Sequence, residues 1–187
     1  MRYTIIAFVM LASEAFSGCP NPPSGLADNE EPTFQKIAIF NDWSLFSITE
    51  KKECWIASSP STTHVQANSG SDELCRGRHQ ISVTIAPRNK FLPEFSFAAG
   101  FQIVDELVPV LRWNSEEIPL PLVSEGHAWS LNSKTDNEII KLFMRSESFN
   151  LISYSSSGHR VTDKFHLSGF SSALTAAFAE CGIEIMS

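Results

Sequence analysis

After its first dozen residues the chain has no apolar run long enough to cross a bilayer, a crossing that takes about 20 consecutive apolar residues as a helix. It has no basic run either. Fourteen Lys and Arg stand against 21 Asp and Glu, for a formal net charge of −7, and that balance leaves no electrostatic footprint for a nucleic acid. Glycine is scarce, at 9 residues. Gly25, Gly70 and Gly77 stand alone and make no phosphate cradle. The Gly-x-Ser-x-Gly turn of a hydrolase nucleophile is missing. The histidines (His64, His79, His127, His159, His166) have neither His-x-His nor His-Glu-x-x-His spacing, so no metal is expected. Asp28, Glu30 and Glu31 lack the spaced acidic repeat and central glycine of a calcium loop. Glu116 and Glu117 are adjacent and would face opposite sides of a strand. No enzyme activity and no cofactor are expected.

What is present begins at the N-terminus. Arg2 precedes a short apolar run, Thr4 to Ala12, followed by Phe16-Ser17-Gly18-Cys19. An apolar run of about 7–15 residues suits a signal peptide, so residues 1–18 are read as an export signal. Two cleavage readings compete. Phe16 to Cys19 is similar to a bacterial lipobox, in which Cys19 becomes an acylated N-terminus and a membrane anchor. Ser13-Glu14-Ala15 is instead a small-x-small site that would release a soluble protein. Residues 19–34 form a Pro-rich acidic tether (Pro20, Pro22, Pro23, Asp28, Glu30, Glu31, Pro32) with little to bury. The expected location is the periplasm or cell envelope, an oxidising compartment.

Residues 35–187 are read as one domain. Fourteen Phe and four Trp suit a sheet-rich core, because aromatic side chains pack well on a pleated surface. Ile37 to Thr49 is strand-like with a break at Asn41-Asp42. Gln80 to Ala86 alternates Ile81, Val83 and Ile85 with Ser82 and Thr84, a half-buried strand. Glu94 to Ala98, Leu107 to Trp113 and Glu117 to Val123 read as further strands, and Ser58 to Ser71 as a loop. Phe149 to Tyr154 and Val161 to Leu167 read as a hairpin across Ser155 to Gly158. Two helices interrupt the strands. Thr135 to Glu138 has the form of a capping box. Ser168 to Cys181 carries the stripe Phe170, Ala173, Leu174, Ala177 and Phe178, with Gly182 placed for a left-handed cap. The expected fold is mainly β, sandwich-like, with two α-helices and the C-terminal helix packed on the sheet.

There are four cysteines: Cys19, Cys54, Cys75 and Cys181. Cys54 lies in a strand-like run and Cys181 ends the C-terminal helix, so a Cys54–Cys181 bridge would pin that helix to the sheet. Pairing of Cys54 with Cys75, leaving Cys181 free, is the alternative. If Cys19 is not acylated, Cys19 can also pair with Cys75.

Several segments together resemble the invasion-associated locus B family of exported alphaproteobacterial proteins. They are Asp42-Trp43, then Glu53 to Pro60 (ECWIASSP), Glu94 to Gly100 (EFSFAAG), Gly126 to Trp129 (GHAW), Asp136 to Met144, and Thr162 to Ala173 with Cys181 after the helix. The likeness covers roughly Ile37 to Gly182. It departs from the family at Phe46 and Ser47, where some members carry a cysteine, at the extra Cys75, and at the lipobox-like Cys19. The resemblance implies a periplasmic or envelope β-sandwich-like domain without known catalytic residues, and the family name comes from members linked to host-cell invasion. The reading is therefore a non-enzymatic envelope protein that binds a protein or surface component, held at the membrane if Cys19 is acylated. The rival is a small-ligand carrier or accessory enzyme with a pocket or contact surface built from Trp113, His127 and Trp129.

Overall fold

A computed structural model of the chain describes residues 34–67, 74–86, 90, 92–104, 106–113 and 116–183. The export signal, Cys19 and the tether up to residue 33 lie outside the described residues. In chain order the strands are β1 (Gln35–Phe40), β2 (Trp43–Ile48), β3 (Glu53–Ser58), β4 (Thr62–Ala67), β5 (Gln80–Ile85) and β6 (Glu94–Ala98). Four three-residue strands follow: β7 (Val110–Arg112), β8 (Glu117–Pro119), β9 (Leu122–Ser124) and β10 (His127–Trp129). Then come α1 (Ser133–Arg145), β11 (Ser148–Tyr154), β12 (His159–His166) and α2 (Phe170–Glu180). Two antiparallel sheets result, with strand orders β1-β2-β3-β5-β6-β10-β9 and β4-β12-β11-β7-β8.

Period-2 patterning builds the larger sheet. β5 alternates half-buried and buried positions along its whole length, as its sequence predicts. Trp43, Leu45, Cys54, Ile56, Ile81, Val83, Phe95 and Phe97 turn inward and are buried. The expected break at Asn41-Asp42 is the β1–β2 turn, with Asn41 at φ 51°. The expected hairpin at Ser155 to Gly158 joins β11 and β12, which pair from Ser148↔His166 to Tyr154↔Arg160.

Three sequence expectations are corrected. Ser58 to Ser71 is not all loop, because β4 lies within it and pairs with β12. All six β4 residues are exposed at the sheet edge, so no burial alternation marks them. Glu117 to Val123 is two strands. β8 belongs to the five-stranded sheet and β9 to the seven-stranded one, with buried Leu120 at the crossing. The first helix is capped by Asn132, whose side chain accepts from the Thr135 backbone N–H at 3.1 Å, so Thr135 is not the cap.

The two-residue turn between β9 and β10 uses Glu125 (φ 47°) and Gly126 (φ 78°), the pair of positive φ values that suits a tight hairpin. A Cβ on Gly126 would also meet the Phe101 carbonyl oxygen at 2.6 Å.

Phe143 of α1 joins the layers. Its ring is 6.2 Å from Trp43 and 5.7 Å from Phe95 in one sheet. It is 4.8 Å from Phe149 in the other sheet and 5.1 Å from Phe170 of α2. α2 packs on β1, β2 and β3 through buried Phe170, Ala173, Leu174 and Ala177. Phe178 is half-buried against the same core. Ser168, where the sequence places the start of this helix, is not its cap; Gly169 precedes the helix, at φ 87°. The Ser168 hydroxyl instead accepts from Asn41 Nδ2 at 2.9 Å. A Cβ at Gly169 would sit 2.0 Å from the Phe40 carbonyl oxygen, so only glycine lets the helix start approach the β1–β2 turn this closely.

Candidate functional site

The Cys54–Cys181 disulfide is formed, with Cα atoms 5.9 Å apart and the partners 127 positions apart in sequence. It ties the end of α2 to β3, which removes the Cys54–Cys75 alternative. Cys75 is disulfide-bonded as well. Cys19 lies outside the described residues.

A second tie joins the sheets. Asp163 on β12 is fully buried and pairs with Arg76, whose Nη2 is 2.5 Å from Oδ2 and Nη1 2.8 Å from Oδ1. Thr63 on β4 donates to Asp163 Oδ1 at 2.6 Å. Arg76 Nε donates to the Ala99 carbonyl, just past β6, at 2.8 Å, and its guanidinium lies 5.3 Å from the Phe101 ring. One forked cation thus bridges the two sheets. A buried charge pair of this kind persists only when its remaining hydrogen-bonding capacity is met, as it is here. Sequence reading missed the pair, because its members lie 87 positions apart.

Asp136 on α1 is a buried carboxylate. It accepts from the Phe95 backbone N–H at 3.0 Å and the Ser130 hydroxyl at 2.7 Å. Burial raises its pKa above the ordinary 3.8 and nearby Glu94 pushes the same way, against the lowering effect of the two hydrogen bonds. Its part is to fasten α1 to β6.

Of the sequence-predicted contact residues, the structure brings two together. His127 and Trp129 point to the same side of β10 and stack at 5.8 Å with 23° between rings. Trp113 belongs elsewhere. It follows β7 in the other sheet and stacks on Phe149 at 5.3 Å. Trp129 borders a hollow of about 310 Å³ with Ser130 and Asp136. Trp113 borders another of about 910 Å³, where Arg145 and Glu116 pair at 3.5 Å.

A third depression, about 610 Å³, lies where β1, β2, β3 and β5 meet the end of β12. Phe46 gives it an aromatic wall, backed by Trp55 stacked at 5.4 Å and by Phe34 edge-on at 5.8 Å. Lys36, Arg78 and His166 line it with a single carboxylate, Asp42. Lys36 Nζ sits 5.9 Å above the Phe46 ring. Ser44, Ser59, Ser61 and Gln80 add hydroxyl and amide groups. These residues are dispersed from position 36 to position 166, so no linear motif announces them.

The protein is a two-sheet antiparallel β domain with a C-terminal helix clamped to one sheet by a long-range disulfide. The same fold is seen in the crystal structure of invasion associated protein b from Bartonella henselae, to which the chain is similar at TM-score 0.50 and 14% identity, over 76% of this chain and 95% of that one. At that identity the likeness is one of fold, and it matches the resemblance read from the sequence. No protein-family model matches the sequence, and no curated protein matches it significantly.

Proposed function

We propose that this chain is an exported protein of the periplasm or cell envelope that acts by binding rather than catalysis, in a host-association role. The long-range disulfide carries the reading: such bonds persist in oxidising compartments, and here the bond closes 127 residues of chain. The signal-like N-terminus and the fold shared with the Bartonella invasion-associated protein support it. No helix among the described residues is long and apolar enough to cross a membrane; an acylated Cys19 would supply an anchor. Acylation and a disulfide both consume that thiol, so each molecule can have only one of them.

Expressed with its N-terminal segment in a Gram-negative host, the protein should fractionate with the envelope, and Cys54 and Cys181 should resist alkylation until reduced. Recovery from the cytoplasm with alkylatable thiols would overturn export. Radiolabelled palmitate should enter the wild type but not Cys19→Ser if the anchored form exists. A wholly soluble wild type beginning at Phe16 would leave only the unanchored form.

A further inference from the structure

We infer that the depression beside Phe46 is a binding site for an acidic sugar, a pyranose ring carrying a carboxylate or phosphate. The inference rests on the binding-protein reading and gives it a ligand class. Charge is the first argument. The chain as a whole is acidic at −7, yet this hollow has two fixed cations, Lys36 and Arg78, and the His166 imidazole against one carboxylate, Asp42. Among the described residues, Lys36, Arg78 and His166 take part in no ion pair. In the hollow beside Trp113, by contrast, two of the three cations are matched within the chain, Arg112 with Glu117 at 2.6 Å and Arg145 with Glu116 at 3.5 Å, and the third, Lys164, shares the space with Glu147. A guanidinium presents a fork that suits carboxylate and phosphate oxygens, and an ammonium acts as a point charge on either.

Surface chemistry is the second argument. Phe46 faces outward from β2 and is held in place by the Trp55 ring on the neighbouring strand, with 14° between planes. The part of this fixed ring that lines the hollow, beside the Lys36 side chain above it, offers an apolar surface to the C–H side of a sugar, at little conformational cost. Ser44, Ser59, Ser61 and Gln80 border the same space and can exchange hydrogen bonds with hydroxyl groups. The hollow is open, so a terminal sugar or one unit of a longer glycan can enter it. An aromatic wall, a hydroxyl-bearing rim and unmatched cations together suit a charged sugar better than a neutral sugar or a bare anion.

The test is an amide-resolved NMR titration of the mature protein with glucuronic acid, glucose 6-phosphate, glucose and a triglutamate peptide. Glucuronic acid or glucose 6-phosphate should shift the amides of Lys36, Ser44, Phe46 and Gln80 at millimolar concentration. Glucose should bind roughly tenfold more weakly, a difference of about 1.4 kcal/mol. Whichever of the two acidic sugars binds better identifies the anionic group. Lys36→Ala with Arg78→Ala should bring acidic sugars down to the affinity of glucose, and Phe46→Ala should weaken every sugar. Lys36 and Arg78 are exposed, so an unchanged melting temperature checks folding of the double variant, and a native circular-dichroism spectrum checks it for Phe46→Ala, which also loses its contacts with Trp55 and Phe34. Equal binding of glucose and glucuronic acid, equal binding of triglutamate, or no shift into the tens of millimolar would overturn the inference. None of these outcomes bears on export, which the fractionation decides separately.

Discussion

Replacing both bridged cysteines, as Cys54→Ala with Cys181→Ala, should destabilise the domain mainly through its unfolded state. A cross-link spanning 127 residues removes closure entropy worth about 5 kcal/mol at 25 °C in the chain-entropy model. The folded state keeps other anchors for α2: Phe170, Ala173, Leu174 and Ala177 stay in the core, and Ser47 still donates to Glu180 at 3.2 Å. The variant should therefore show native far-UV circular dichroism at low temperature. Its midpoint should fall by roughly 10–20 °C, since about 1 kcal/mol shifts a domain of this size by about 2–4 °C. Its denaturant m-value should rise as the unfolded chain expands. Treating the wild type with reductant is a poorer test, because Cys75 is also disulfide-bonded and both bonds would open. A fall below roughly 4 °C with an unchanged m-value would refute the closure argument. Loss of helical signal in the cold would show that the bond holds α2 in place directly.

Two further outcomes follow from the core. Phe143→Ala should cost about 3–5 kcal/mol, because this ring, 1% exposed, meets aromatic neighbours from both sheets and α2; chemical denaturation measures it, and a loss under about 1 kcal/mol would show that the layers do not depend on it. Asp136→Asn should flatten the dependence of stability on pH. The raised pKa of Asp136 means that the folded state holds this proton more tightly than the unfolded chain, so wild-type stability from this group declines as pH rises from about 4 through the raised value. Asparagine keeps an acceptor oxygen for Phe95 and Ser130 without ionising. Parallel melting-temperature profiles for the two proteins between about pH 4 and 7 would refute this.

The parts of the fold legible in the sequence were those written in local pattern. β5 was visible because each alternate residue is β-branched and buried, and the β1–β2 turn because Asn41 tolerates positive φ. α2 was visible from its apolar stripe and from Gly182, which adopts φ 70°. The Cys54–Cys181 bridge followed once those two elements were placed. β4 was hidden because an exposed edge strand has no alternation to read. β9 and β10 are only three residues each, shorter than any periodicity, although the glycine of their turn was noticed. Trp113 and Trp129 were grouped as large aromatics, but the chain crosses between sheets at Leu120, which puts them on opposite sides of that crossing. The hollow beside Phe46 and the Arg76–Asp163 pair depend on which strands become neighbours, and that order is set by topology rather than by any single segment.

The disulfide also constrains how the protein comes into being. In the exported protein proposed above the chain would emerge N-terminus first, so Cys54 and Cys75 would meet the oxidising side before Cys181, which lies 106 positions after Cys75. The Cys54–Cys75 loop is several times shorter than the native one, and shorter loops close more readily, by roughly an order of magnitude for this ratio of lengths. A Cys54–Cys75 bond formed early would be a wrong one, because Cys54 belongs with Cys181. Reaching the native pair then requires attack by a free thiolate on that early disulfide, so maturation should depend on an isomerase as well as an oxidant. By joining β3 to α2, the protein has made its own assembly wait for a helix more than a hundred residues downstream.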